Sequence, residues 1–253
     1  MPIAKIALIL SWFAVLALAE RVAPATPRPR DGGRARLWRN LGFLVTNTLM
    51  NPLIIVPISV AAASLQVWSR PAWPLWPQLA LDLVLLDLWV YAWHRANHEW
   101  QLLWRFHRVH HLDRFLDTSS AVRFHPGEVL ISALARAPLI VLADIPLTSL
   151  ALFDTLVLLG ALFHHSNLRL APGFEAVLRW LVVTPSHHWV HHHVGADTNS
   201  NYATLLTLWD RVFASWSKTE RSPAMEIGLG APDESLPSLA ALPFRMAPAP
   251  PGA

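Results

Sequence analysis

Histidines are the residues of this sequence with the clearest capacity for chemistry. All thirteen lie between His94 and His193, and most are spaced three or four positions apart in short clusters. The clusters have the forms H-x3-H, H-x2-H-H, H-H and H-x2-H-H, and they begin at His94, His107, His164 and His188. Residues three and four apart share one face of a helix, so each cluster can aim two or three imidazoles at one point. The pattern predicts a metal site, because burying many imidazoles without partners would be costly.

The ligand type narrows the choice of metal. Neutral imidazole suits iron, zinc and copper, and iron and zinc are the usual metals of sites built from histidine alone. The chain has no cysteine, so it offers no thiolates for an iron–sulfur cluster. A haem-binding electron carrier would need isolated axial histidines deep within helices, and a metal transporter would need a polar path or a low-complexity histidine tract.

Composition places these histidines in a membrane protein. The chain is 53% hydrophobic and 15% charged, and it contains 13 tryptophans. Its long apolar runs are Ile3 to Ala19, Leu41 to Leu65, Leu75 to Trp93 and Val129 to Phe163. A membrane span needs about 20 apolar residues, so the first three runs can each cross once. The fourth is long enough for a helical hairpin that turns at residues 143–146, where a proline interrupts the run.

Two interpretations of the first run remain open. It resembles a signal peptide, because Lys5 precedes an apolar core and Ala17-Leu18-Ala19 has the form of a cleavage site. The basic loop that follows favours a retained helix with this loop in the cytoplasm, which would bring every histidine cluster to the cytoplasmic face. The loop's arginines indicate topology and contact with anionic lipid rather than nucleic-acid binding; they are Arg21, Arg28, Arg30, Arg34, Arg36 and Arg39.

Acidic residues within the apolar runs also have alternative interpretations. Asp87 shares a helix face with His94 and His98, so its carboxylate either orients a ligand imidazole or bonds to a neighbouring helix. Asp82 and Asp154 are expected to face the interior of the bundle, because exposure to lipid would be costly.

The remaining segments carry weaker local signals. Pro172-Gly173 predicts a turn, and Thr184-Pro185-Ser186 predicts a helix start capped by a serine or threonine side chain. The proline- and alanine-rich segment from Arg221 onward is expected to be extended, draped on the body or disordered.

Further motifs accompany the clusters: Arg123-Phe124-His125-Pro126, His165-Ser166-Asn167, Asp197-Thr198-Asn199-Ser200-Asn201-Tyr202 and Trp209-Asp210-Arg211-Val212-Phe213. With these motifs, the stretch from about Ala80 to Trp216 resembles the fatty acid hydroxylase superfamily, which includes sterol desaturases and alkylglycerol monooxygenase. The resemblance departs from the family pattern at Ala214-Ser215, where glycine and threonine are usual. It implies an integral membrane enzyme whose histidine-ligated dimetal centre, functionally di-iron, uses dioxygen to oxidise lipid C–H bonds.

The resemblance also implies site residues. The implied metal ligands are His94, His98, His107, His110, His111, His165, His188, His191 and His192. His164 and His187 are less certain candidates for completing the coordination. His125 is either a metal ligand or a neighbour that supports a ligand. Asp87 and Asn167 are candidates for the supporting role alone. His193 is expected to face solvent.

The fold expected from these observations is an all-α integral membrane bundle of about four to five membrane helices, with a cytoplasmic histidine-rich helical cap that holds the dimetal site. We divide the chain into N-terminal membrane helices with the arginine-rich loop (1–79), a catalytic region (80–218) and a tail (219–253).

The expected function is O2-dependent hydroxylation or desaturation of a fatty acyl chain, a sterol-like lipid or an ether lipid, in lipid biosynthesis or modification. Two iron ions are the implied cofactor, with zinc as a substitute in purified protein. The implied partners are the lipid, O2 and an external electron donor, either cytochrome b5-like or a ferredoxin with its reductase, and no nucleic acid. The alternatives are a catalytically silent family member and a membrane protein that binds or transports metal.

Overall fold

A computed structural model describes residues 2–29, 33–65, 67–232 and 234–245 of the chain. Within these ranges the chain forms helices joined by loops, and its β contacts are three isolated bridges. The prediction of an all-α fold is therefore confirmed. In chain order, the α-helices of these ranges are α1 (Pro2–Val22), α2 (Gly33–Met50), α3 (Val56–Ser64), α4 (Leu75–Glu99), α5 (Gln101–His111), α6 (Pro126–Leu142), α7 (Leu147–His165), α8 (Pro172–Leu178), α9 (Pro185–His191), α10 (Leu208–Val212) and α11 (Leu236–Ala241).

Four helical segments of these ranges are long and apolar enough to cross a membrane: Ile3–Val22, Gly33–Ser64, Leu75–Glu99 and Leu147–His165. This number agrees with the prediction of about four to five membrane helices. The share of each apolar window that the protein itself buries rises from 11% in the first to 33% in the last, so α7 is the most interior of the four.

A π-helical turn, Asn51–Ile55, joins α2 to α3 without breaking the long helix. Two prolines explain the change of geometry. Pro52 and Pro57 have no backbone N–H to donate, and the ring of Pro57 would clash with the carbonyl of Leu53 in a regular α-helix. The wider turn accommodates the ring, and it places Asn51 and Ile55 along a cavity inside the bundle.

The predicted hairpin in the fourth apolar run is confirmed by α6, α7 and the turn of residues 143–146 between them. Asp144 takes a left-handed conformation in this turn, with φ of 48°, and Pro146 immediately precedes α7. The two arms pack on different neighbours: α6 lies along α3, while α7 lies against α1 and α4.

Between α7 and α9, the structure differs from the predicted turn at Pro172-Gly173 and from the predicted side-chain cap at Thr184-Pro185-Ser186. Pro172 begins helix α8 instead of forming a turn with Gly173, because the first helical position needs no backbone N–H donor. Helix α9 starts after Thr184 as predicted, but no side chain of that residue caps it. The Ser186 N–H instead donates to Glu175 Oε1 of α8, at 3.0 Å.

The C-terminal segment is not extended over residues 234–245. Helix α11 and the 3₁₀ turn Leu242–Phe244 pack on α2 and α5, where Leu239 and Leu242 join a buried cluster with Phe43 and Val109. Apolar leucines spaced three apart explain the packing, since they place one face of a short helix on the core. Residues 246–253, also part of the predicted tail, lie outside the described residues.

Arg36 of α2 connects the membrane helices to the loop that follows α5. Its guanidinium donates to Asp113 Oδ2 at 3.0 Å and to the Phe115 carbonyl at 2.9 Å, and it also bonds to Asp117. Burial by itself would raise the pKa of Asp113, but the nearby Arg36 and Arg123 guanidiniums bring that pKa below its usual value. The loop is therefore held by charges that neutralise one another inside the protein.

Replacing Arg36 should destabilise the fold without touching any histidine. In Arg36→Leu, the buried carboxylates of Asp113 and Asp117 each lose their shortest ion pair, which we expect to cost about 3 kcal/mol, or roughly 6–12 °C in melting temperature. Thermal unfolding in detergent, followed by size-exclusion chromatography, measures the change. Arg34→Leu is the matched control, because Arg34 is exposed on the same helix. Equal melting temperatures for the two variants would contradict this account of Arg36.

Candidate metal centre

Helix ends supply all nine histidines that were predicted as metal ligands. His94 and His98 occupy the last turns of α4, and His165 ends α7. The last two turns of α5 contribute His107, His110 and His111, and α9 with the residue after it contributes His188, His191 and His192. Because α4, α5, α7 and α9 bring these ends together, four clusters that are distant in sequence meet in one place.

The nine side chains form two groups. His94, His98, His107, His111 and His191 make up the five-histidine group, and His110, His165, His188 and His192 make up the four-histidine group. In each group, one ring nitrogen from every member lies within 4.8 Å of all the others. The groups adjoin, since the rings of His111 and His192 stack with centroids 4.3 Å apart. Helices α5 and α9 each contribute to both groups.

Protein acceptors orient five of the nine rings through their Nδ1 atoms. A carbonyl oxygen can only accept a hydrogen bond, so an Nδ1 atom facing one carries the proton and leaves the Nε2 lone pair free. Four Nδ1 atoms donate to carbonyls: His94 to Tyr202 at 2.8 Å, His110 to Arg123 at 3.2 Å, His165 to Ala161 at 2.8 Å and His191 to Ser200 at 2.6 Å. The fifth, His107 Nδ1, lies 2.7 Å from Glu128 Oε1.

The four-histidine group fits a cation in its centre. The Nε2 atoms of His110 and His165 are 3.1 Å apart, and both carry lone pairs because their Nδ1 atoms hold the protons. Two lone pairs at this distance repel each other unless a positive charge lies between them. The chain of close Nε2 contacts continues from His165 to His188 at 3.0 Å. Nitrogens bound to one metal at about 2.1 Å and at right angles would be about 3.0 Å apart.

A different observation indicates that the five-histidine group fits a second cation. The Nε2 atoms of His107, His111 and His191 are buried and have no hydrogen-bond partner within the described part of the chain. An orphaned polar atom in a protein interior is costly, and a metal ion would satisfy all three atoms at once.

Burial also keeps the imidazoles outside the spans neutral. Desolvation, and then the neighbouring histidines, lower the pKa of His110, His111, His188, His191 and His192 well below the usual value. Protons therefore do not compete with a metal for these nitrogens at neutral pH.

The less certain histidine candidates lie outside both groups. Both nitrogens of His125 are engaged, because Nδ1 accepts from the Gly127 N–H at 2.9 Å and Nε2 donates to the Ala240 carbonyl at 3.0 Å. His187 Nε2 lies 2.9 Å from Asp210 Oδ2, and the His164 ring packs against that of His188 with centroids 4.1 Å apart. His193, expected to face solvent, is half-buried and lies 2.9 Å from Asp197.

The other two candidate supporting residues bond elsewhere. Asp87 accepts from the Trp209 Nε1–H at 2.8 Å and from the Leu206 N–H at 3.2 Å, which ties the middle of α4 to α10. Asn167 joins the end of α7 to Thr26, since its Nδ2 donates to the Thr26 carbonyl at 2.8 Å and its Oδ1 accepts from the Thr26 N–H at 3.0 Å.

Glu128 is a candidate site residue that the sequence did not predict. It is buried in the first turn of α6, within reach of His107 and of the Asn97 amide. One signal was available, because Glu128 is the only acidic residue of the largely apolar helix α6 and follows His125 by three positions. The Ser200 and Tyr202 carbonyls were also missed, and no side-chain pattern reports a backbone oxygen.

A cavity of about 370 Å³ leads from the histidines into the bundle. His94, His107 and His110 lie along it at one end, and apolar side chains of α4, α6 and α7 make up much of the remaining wall. The cavity is large enough for part of an alkyl chain, and its mixed lining is typical of ligand sites that need orientation as well as apolar contact.

Comparisons with known proteins agree with the geometry. Residues 79–215 match the family model described as fatty acid hydroxylase. Ornithine lipid hydroxylase of Rhizobium tropici is 30% identical over 232 residues, which cover 87% of this chain and 69% of that protein. Alkylglycerol monooxygenase of Danio rerio is 33% identical over 149 residues, covering 58% of this chain and 31% of its own length, so the chain spans less than a third of that relative. A fatty acid hydroxylase of Lecanicillium is 30% identical over 210 residues, which cover 76% of this chain and 56% of that protein. No solved structure matches the chain.

Removing Glu128 should weaken metal retention. In Glu128→Ala, His107 loses the carboxylate that orients its ring, and we expect metal affinity to fall about 10–100-fold. Metal content after dialysis against a graded series of chelator concentrations measures the effect. Glu99→Ala is the control, because Glu99 is exposed on α4 and pairs with Arg95. Identical chelator curves for the wild type and Glu128→Ala would contradict a supporting role for this carboxylate.

Proposed function

Because the chain belongs to the fatty acid hydroxylase family, we propose that it is a membrane-bound, non-haem di-iron enzyme that hydroxylates or desaturates a C–H bond of a lipid with dioxygen. The pair of adjoining histidine groups is the observation that carries the proposal, since it offers five ligands to one ion and four to the other. The relatives support a lipid substrate, because their names specify an ornithine lipid, an alkylglycerol and a fatty acid.

The metal ions and the protein have separate tasks in this proposal. Two bound irons would supply the redox chemistry that activates dioxygen, which zinc in the same positions could not supply. The five-histidine group would hold one ion and the four-histidine group the other. The Tyr202, Ser200, Arg123 and Ala161 carbonyls, together with Glu128, keep protons on Nδ1 and direct Nε2 toward the ions.

The surroundings of the centre determine what reaches it. Eight of the nine histidines are buried and His94 is partly buried, so bulk water is largely excluded from the reacting position. The cavity beside His94, His107 and His110 would hold the substrate chain with a C–H bond facing the centre.

In this proposal, electrons for the reaction come from a redox group that these 253 residues do not supply. The chain has no cysteine for an iron–sulfur cluster, and its sequence shows no flavin or dinucleotide motif. We therefore propose a cytochrome b5-like protein or a ferredoxin with its reductase as the partner. The cytoplasmic face, where the arginine-rich loop would place the histidines, is where such a donor would bind.

Metal content is the decisive test of the proposed function. Protein purified in detergent from iron-supplemented cells should contain two irons per chain, coupled in the Mössbauer spectrum. His110→Ala and His191→Ala each remove one proposed ligand, and we expect both to lower bound metal and to reduce lipid oxidation at least 100-fold, more than loss of an orienting partner costs. His193→Ala is the matched control, because His193 lies outside both groups.

Two results would overturn the proposal. One is zinc alone in the wild type, persisting after reconstitution with iron. The other is full metal content and turnover in either ligand variant.

The proposed orientation can be tested with single cysteines, since the chain contains none. Lys218→Cys reports the histidine side, and Ala72→Cys reports the loop between α3 and α4; both positions are exposed. We expect a membrane-impermeant maleimide to label Ala72→Cys in intact spheroplasts. It should label Lys218→Cys only after the spheroplasts are lysed. The reverse pattern would place the centre on the opposite face.

A further inference from the structure

An ion pair lines the cavity far from the histidines. Arg136 Nη1 of α6 donates to Asp154 Oδ1 of α7 at 2.6 Å, and both residues face the cavity. The side chain of Arg136 is 11% exposed and that of Asp154 is 47% exposed, so the carboxylate borders open space. Asp154 therefore does not have the purely interior position that the sequence predicted for it.

The pair marks the end of the cavity that is remote from the metal centre. Asp154 precedes His165 by eleven residues, which corresponds to about 16 Å along α7. Beyond the pair, Leu86, Ile140 and Phe153 belong to a buried apolar cluster that separates the cavity from the hairpin turn. The cavity thus has histidines at one end and a guanidinium–carboxylate pair at the other.

An apolar end wall would be less costly than this pair. Asp154 lies near the middle of an apolar helix, where charged side chains carry a large desolvation penalty and usually serve substrates or ions. The cost of removing an ion pair from water is often not recovered by the attraction between its members. A wall that merely stopped the methyl end of a lipid chain would need neither charge.

The pair still has hydrogen-bonding capacity for a ligand. The bond between Nη1 and Oδ1 is the single hydrogen bond of either side chain within the described ranges of the chain. The other guanidinium N–H groups remain as donors and Asp154 Oδ2 remains as an acceptor. The two charges neutralise each other, so a ligand with a net charge would be uncompensated at this depth.

We propose that Arg136 and Asp154 form a specificity site for an uncharged polar group of the lipid substrate, of the amide or ester type. This proposal rests on the proposed lipid oxidation at the histidine centre. Three backbone bonds extend about 3.3–3.6 Å, or about 1.2 Å per bond, so 16 Å corresponds to roughly a dozen bonds between the polar group and the oxidised carbon. The substrate would then be a long-chain lipid that is oxidised far from its amide or ester group.

The test compares two probes that differ in the polar group alone, hexadecanamide and hexadecane. Wild-type protein should prefer the amide at least tenfold in kcat/KM, which is the usual effect of a hydrogen bond to a charged group. Arg136→Met/Asp154→Leu removes both charges together and so leaves none unpaired. We expect this double variant to reduce the preference to less than about twofold, through KM, with unchanged metal content. Thr155→Ala is the control, because Thr155 is half-buried on α7, does not line the cavity and bonds to the Ala151 carbonyl of its own helix.

Equilibrium binding of radiolabelled probes separates this proposal from the proposed function. The wild type could oxidise neither probe but bind the amide more tightly, with the double variant losing that difference in affinity. This result would support the specificity site and contradict the proposed oxidation. A preference for the amide that persists in the double variant would overturn the specificity site, as would a wild type that does not discriminate. If the double variant does not fold, the smaller apolar pair Arg136→Leu/Asp154→Ala replaces it. Full discrimination in this second apolar pair would equally overturn the proposal.

Discussion

The interaction on which the rest of the structure depends is the mutual repulsion of imidazole lone pairs held together in the protein interior. His110 and His165 direct unprotonated Nε2 atoms at each other across 3.1 Å, and His188 approaches the same point. Neutral, desolvated rings in this arrangement are unfavourable without a cation. The protein must therefore hold them by rigid means, and much of the fold can be understood as that support.

Support comes from helices whose ends meet and from loops that tie those ends in place. Helix α5 contributes to both histidine groups, so a small displacement of it would disturb both sites at once. Two devices hold it: Arg36 fixes the loop that follows α5, and Glu128 fixes His107. The carbonyls that orient His94 and His191 belong to Tyr202 and Ser200. The loop of residues 200–202 therefore supports the histidine groups through its backbone.

The membrane imposes the second constraint. Apolar helices surround a cavity that begins at the histidines, and charges are tolerated there when each has a partner. Asp82 follows this rule with Arg70 and Ser149, at 2.6 Å from each, in a fully buried position. Arg136 and Asp154 follow it too, but their pair borders the cavity, whereas Asp82 is fully buried. This difference in position separates a structural pair from the pair that we propose to bind substrate.

Local patterns were sufficient for much of this protein. Apolar runs and proline positions predicted the membrane helices and the hairpin of α6 and α7, because length and hydrophobicity are properties of contiguous residues. Spacing of three and four predicted that the histidines would share helix faces. Local signals were weaker where tertiary contacts override them: Thr184 does not cap α9 because Glu175 takes that role, and residues 234–245 are helical because α2 and α5 offer an apolar surface.

The sequence by itself determined that the clusters starting at His94 and His164 would end membrane helices and that the other two clusters would lie outside the spans. Tertiary structure alone decided how the clusters are shared between the two groups. Neighbouring His110 and His111 belong to different groups, as do His191 and His192, because adjacent residues point about 100° apart on a helix and each side meets a different partner helix. The same reason explains why Glu128 reaches His107 while Asp87, on the predicted face of α4, bonds to Trp209. Periodicity specifies a face, and the packing of helices decides what that face contacts.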